Sequence, residues 1–280
     1  MKGEIEFNWI FMLIAGVVIL AFFFSFGIKY KNLQEEKLSI ELLINLDNAL
    51  LNLQSSSFNT FDKVDIPKDV KINCNELKIQ DKNYKNTKFI FSPKELRDKI
   101  YIWFKPFNFP FKIDNFYYLI SPKDKFYLIY NDQASKEFAE SLINDLPEKF
   151  KDNIKAKNSR QPDGKNIFIN SNQGEVNINL NNEKINLNVK NKLYEDVSKE
   201  LVYGAIFSDD FDCNYKKIKL SMEEIINNYK KKLVILQSST CSYASIPNYL
   251  SKLKDLKFQD TKSIEELNKN LASINCPTLY

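Results

Sequence analysis

The chain has 280 residues, 44% of them apolar and 14% aromatic, enough to bury a core, and its 40 basic and 36 acidic side chains leave a net charge of +4. That near-balance gives no electrostatic footprint for nucleic acid. Histidine is absent, which excludes Ser-His-Asp and Cys-His nucleophiles, histidine general bases and imidazole-ligated zinc. With no dinucleotide glycine fingerprint, P-loop or CxxC pair, the sequence singles out no cofactor and no catalytic or metal-binding residue.

From Trp9 to Ile28 the chain carries no formal charge, for the roughly twenty residues a helix needs to cross a bilayer's hydrocarbon. Trp9 at one border, and Tyr30 with Lys29 and Lys31 at the other, are interface residues. The stretch is too long for a signal peptide and leads into no small-x-small cleavage box, so an uncleaved single-pass anchor in lipid is expected. An apolar pattern continues through Leu38, Ile40, Leu42, Leu43, Ile44, Leu46, Leu50 and Leu53 until Ser55, Ser56 and Ser57. It predicts one continuous helix from about Ile5 to Gln54. Leu46 and Leu50 on that stripe can serve a seam for self-assembly or protein partners, or dock onto the chain's own body.

From about Lys63 to Tyr130 the signals are those of strands: Val70–Cys74, Leu77–Ile79, Phe89–Phe91, Ile100–Phe104, Phe116–Ile120 and Phe126–Tyr130. Ser121–Asp124 reads as a hairpin turn joining the last two, and Ser92-Pro93-Lys94-Glu95 as a capping box opening a helix. Within this region Trp103, Phe107, Phe109 and Phe111 belong to a dense aromatic run with Pro106 and Pro110. They are a core crossover or, if exposed, a binding face. Phe138, Leu142, Ile143 and Leu146 mark the next helix, and with the strand before it make one α/β unit.

Asn153 to Gly164 reads as an exposed linker. Val176, Ile178 and Leu180, then Ile185, Leu187 and Val189, alternate with asparagines and predict a hairpin turning at Asn181–Lys184. Ser208, Asp209, Asp210 and Asp212 form an acidic knot without the order of a calcium loop, read as loop solvation. Ser221–Glu224 and Ser263–Glu266 read as capping boxes of a C-terminal helical bundle, with a further helix around Tyr249–Leu256. Lys230, Lys231 and Lys232 read as a solvated face. The cysteines, Cys74, Cys213, Cys241 and Cys276, are an even number compatible with two bridges in an oxidising compartment. Three connectivities are open, with Cys241 to Cys276 favoured.

The opening Met1, Lys2, Gly3, Glu4, Ile5, Glu6 before a long apolar helix resembles type IV pilin-like proteins, although Asn8 stands about where their glutamate is expected. A closer resemblance, through Phe7–Gly16, Asp65-Ile66-Pro67, Ser92-Pro93 and Cys276–Tyr280, is to uncharacterised single-span membrane proteins of small-genome archaea. That resemblance implies an anchored, outward-facing body and brings no activity with it. Lysine counts beside the span, Lys2 against Lys29, Lys31 and Lys37, instead favour a cytoplasmic body. With the cysteines and the resemblance on the other side, the body is expected outside.

The expectation is an α+β protein. It comprises an anchor and stalk over 1–57, a mixed α/β body over 58–152, a hairpin-rich part over 153–212 and a helical region over 213–280. Its expected task is to present a non-catalytic interaction or structural domain in the cell envelope. The alternatives are an anchored enzyme using carboxylates or a pilin-like filament subunit.

Overall fold

The structure, a computed structural model, describes residues 3–55, 61–181, 184–236 and 241–280. Helix α1 (Gly3–Ser55) leads into β1 (Phe61–Asp65), β2 (Val70–Ile72), β3 (Glu76–Ile79), β4 (Lys82–Lys85), β5 (Phe89–Phe91), β6 (Glu95–Leu96), β7 (Lys99–Asn108), β8 (Lys112–Ile120) and β9 (Phe126–Ile129). Then come α2 (Gln133–Asn144), α3 (Glu148–Lys151), β10 (Ile154–Lys157), β11 (Lys165–Ile169), β12 (Val176–Asn181), β13 (Lys184–Val189) and β14 (Lys192–Tyr194). The chain closes with α4 (Lys199–Phe207), α5 (Phe211–Leu236), α6 (Ile246–Lys252) and α7 (Gln259–Ser273). The fold is α+β.

The strands form three sheets, in the orders β1-β7-β8-β5, β4-β3-β2-β6 and β10-β9-β11-β12-β13-β14. The first is the partition of the molecule. Because side chains alternate across a strand, Phe116, Tyr118 and Ile120 of β8 face one core while Tyr117 and Leu119 face another. Phe89 and Phe91 part from Ile90 in the same way, and Trp103 from Ile102 and Phe104. Strands buried on both faces must be apolar throughout, which is why these segments read as unbroken aromatic and aliphatic runs.

The larger core lies between the partition, the six-stranded sheet and α4, whose residues Leu201 to Phe207 are all buried. Gly204 is where α4 meets β5: a Cβ there would stand 2.7 Å from Phe91 Cε1, so only glycine permits this approach. The smaller core lies between the other face of the partition, the β4-β3-β2-β6 sheet and the last turns of α1.

Several sequence expectations need correction. Ser92–Glu95 opens no helix: its backbone is committed elsewhere, the Lys94 carbonyl accepting from Ile72 N–H at 2.8 Å and Lys94 N–H donating to Asp209. The turn at Ser121–Asp124 exists, closed by Asp124 N–H to Ser121 carbonyl at 3.0 Å, but it is not a hairpin. β8 is paired on both sides by β7 and β5, so β9 has no edge to join and starts the six-stranded sheet instead. The expected linker Asn153–Gly164 contains β10, which pairs in parallel with β9 across the expected boundary at 152/153. Ser221 and Ser263 lie inside α5 and α7 rather than at their starts. The expected hairpin of β12 and β13 is present, with Val176 opposite Val189 and Ile178 opposite Leu187. Asn182 and Glu183 of its turn lie outside the described residues.

Candidate functional site

The feature that sets this chain apart from a compact body is α1, and it divides by burial rather than by any break. From Trp9 to Ile28 it is free of formal charge and bare. Trp9, Phe11, Phe22, Phe24 and Phe26 are each more than 60% exposed, the helix reaches a mean hydropathy of 2.6, and none of its most apolar window is buried. A core helix of a soluble protein would bury such a surface; this one is long and apolar enough to cross a membrane. The stretch Trp9–Ile28 corresponds to about 30 Å of helix, the thickness of a bilayer's hydrocarbon.

The second half is seated on the body. Ser39, Leu43, Leu46, Leu50 and Leu53 recur every three or four residues, and they and Leu42 are all buried. They pack with Ile66, Val70, Ile79, Ile102 and Leu119 of the smaller core. Polar contacts fix the seat at both ends. Ser39 Oγ lies 2.9 Å from Gln80 Oε1, Lys68 Nζ donates to that same oxygen at 2.8 Å and to the Glu35 carbonyl at 3.3 Å, and Lys82 pairs with Glu36. Further along, Asp47 pairs with Lys88 and accepts from the Tyr84 hydroxyl at 3.2 Å, which holds the Tyr84 phenol above its ordinary pKa. An open cleft of about 560 Å³ between Asn32, Glu35, Glu36, Gln80 and Asp81 lies where stalk and body part.

These placements settle the two possible uses of the aromatic run and the stalk stripe. Trp103, Phe107 and Phe109 are fully buried and Phe111 is 3% exposed, so the aromatic run is core and offers no binding face. Trp103 stacks obliquely on Tyr118 at 4.7 Å and edge-on against Tyr203 at 5.0 Å. Leu46 and Leu50 are likewise fully buried, so an assembly seam through them is ruled out: they dock onto the chain's own body.

The cysteines come together as Cys74 with Cys213 and Cys241 with Cys276, at Cα separations of 6.1 and 5.9 Å, within disulfide range. The first ties the segment after β2 to the first turn of α5, 139 residues away; the second ties the segment after α5 to the C-terminal tail. Beside the first, Asp210 Oδ2 accepts from Cys74 N–H at 3.3 Å. Cys74, Asp210 and Cys213 cluster as metal ligands do, but two sulfurs bonded to each other offer no thiolate.

The rest of the acidic knot is engaged in ion pairs and hydrogen bonds. Asp209 faces Lys165 and accepts from Lys94 N–H at 3.1 Å, while Asp212 meets Lys192, Lys216 and the Tyr194 hydroxyl, which hold its carboxyl below the usual range against a burial cost. Lysines, in turn, are spent on carbonyls. Lys217 Nζ donates to the carbonyls of Cys74, Asn86 and Lys88 at 3.1, 3.1 and 3.0 Å, and burial lowers its pKa. Lys165 caps the C-terminal end of α4 through the Ala205 and Ser208 carbonyls at 3.1 and 2.7 Å, and burial outweighs Asp209 to bring it down to about 8. Lys232, from the run read as a solvated face, holds the C-terminal tail through the Thr278 carbonyl at 3.2 Å. Sequence reasoning missed these lysines, because a lysine bound to carbonyls from distant segments leaves no local pattern.

Two carboxyls, Asp114 and Asp124, are raised by burial, yet they accept from the backbone N–H groups of Asn115 at 2.7 Å and Ser121 at 2.6 Å. Asp114 does so within β8, and Asp124 within the turn that follows it. Compared with known proteins, the chain matches no family model, no curated protein and no solved structure.

Proposed function

We propose that the protein is a single-pass membrane protein of the cell envelope that holds a non-catalytic interaction or structural body just outside the membrane. The observation that carries this reading is the contrast within α1: twenty apolar residues with no cover, continuing without a break into a half locked to the body. An unbroken helix transmits position, so the body stands at a set height and orientation above the lipid. About seven residues, roughly 10 Å of helix, separate Ile28 from Glu35, where the body first touches the stalk. Headgroups occupy about 5–7 Å of that on each side of the hydrocarbon.

The outward orientation is supported by the pairing of all four cysteines, which suits an oxidising compartment. The resemblance of Phe7–Gly16 and Cys276–Tyr280 to single-span archaeal proteins points the same way, against the lysine count beside the span. Thiol labelling of intact cells tests it. Labelling by an impermeant reagent only after reduction is expected, whereas free thiols labelled only after lysis would place the body in the cytoplasm.

A further inference from the structure

Docking uses one face of the stalk and leaves a second apolar face bare. Leu33, Ile40, Ile44 and Leu51 are 64%, 42%, 47% and 46% exposed. At about 100° per residue they share one narrow stripe, turned roughly 120° from the buried Leu46 and Leu50. Spaced seven, four and seven, they fill four of the six a and d positions of a two-helix seam over this stretch, with Lys37 and Asp47 at the other two. The same seven-residue row continues back through Phe26, Ile19 and Met12, all exposed. Within the span every neighbour is apolar and the row carries little information; beyond it, four bulky aliphatics among Lys, Glu and Asn do.

We propose that this stripe is a self-association surface, along which a second copy of the chain lies parallel, stalk against stalk. Lipid is not the occupant: Leu51 is 23 residues past Ile28, about 35 Å along the axis and well beyond the headgroups. A helix that leaves the bilayer and runs unbroken for that distance matches the stripe along its whole length. This chain supplies one, and confinement to a membrane presents every copy parallel and at the same height. The charges at those two positions are matched within each chain, Lys37 with Glu41 at 3.8 Å and Asp47 with Lys88, so little uncompensated charge stands between two copies. A strict seven-residue repeat implies a left-handed crossing. The proposal rests on α1 being a membrane-anchored stalk.

The test uses the full chain with its disulfides intact, purified and reconstituted in phosphatidylcholine vesicles. Ile44→Cys should crosslink to dimer through a short bismaleimide at least tenfold more than Asn45→Cys, which is exposed on a different face, and dilution into excess lipid should leave that ratio standing. Ile40→Asp placed in the Ile44→Cys chain should remove the crosslink, while Lys31→Asp should not. Equal crosslinking of Ile44→Cys and Asn45→Cys overturns the seam. Flotation of the same samples separates the two ideas: a chain that floats without the preferred crosslink refutes only the seam, and one that does not float refutes the anchor as well.

Discussion

The Lys88 ammonium and the Asp47 carboxylate meet across the boundary between body and stalk, with only 17% and 16% of their side chains exposed. Removing one partner strands the other in a largely dry place. Asp47→Ala is therefore expected to lower the unfolding free energy of the chain in detergent by about 2–3 kcal/mol, below the full cost for a buried pair because some water reaches it. The double change Asp47→Leu with Lys88→Met should recover most of that loss. A double variant as unstable as the single one would show that the pair does not act as a unit.

Leu46 and Ile44 are two residues apart on α1 but differ in surroundings, one fully buried and the other 47% exposed. Leu46→Ala should cost about 2–5 kcal/mol through the cavity it leaves. Ile44→Ala, in dilute detergent where copies are apart, should stay within about 0.5 kcal/mol of the parent. Denaturant midpoints of the two variants check the expected face of the stalk.

The pH dependence of stability should carry the mark of Lys165. Its folded pKa of about 8 lies below the value of about 10.4 in an unfolded chain. Between those values the unfolded chain binds more protons than the folded one, so stability rises with pH through that window, and the cost of burying the charge is fully present below it. Lys217, also lowered by burial, adds in the same direction. Tyrosines raised by burial, Tyr117, Tyr203 and Tyr215 among them, oppose this toward pH 10, so the mark of Lys165 is the difference between the parent and Lys165→Met, which should rise by no more than about 2 kcal/mol from pH 8 to 10. A difference that falls over this range would contradict the placement of that ammonium.

Gly204→Ala should lower stability by about 1–3 kcal/mol, because the new methyl would press on the ring of Phe91, itself stacked on Tyr118 at 5.6 Å. Retained stability on thermal unfolding would mean that α4 is not held this close to β5.

Much of the architecture is legible in local patterns. α1 announces itself twice, by its charge-free run and then by its leucine stripe, and β12 and β13 by alternation against asparagine. α4 does not: with Leu201 to Phe207 buried on every side, it has no polar face and hence no helical period to detect. The misread capping boxes share one cause. A hydroxyl and a glutamate three residues apart also sit side by side on the surface of a helix interior, which is where Ser221 and Ser263 lie. The turn after β8 was readable, but which sheet the chain enters next depends on β5 already occupying the edge of β8, a long-range fact. The possible binding face at Trp103 turned on burial, which composition cannot assign when a strand is covered on both sides.

The account rests on the lodging of Trp9–Ile28 in lipid, and alkaline carbonate extraction of membranes carrying the full chain tests it most directly. The chain is expected to stay with the sedimented bilayer, and a variant with Leu13→Arg and Phe23→Arg in the span, both exposed in the structure, to be released with its body folded. Recovery of the unaltered chain in the supernatant as a folded soluble protein would contradict the account.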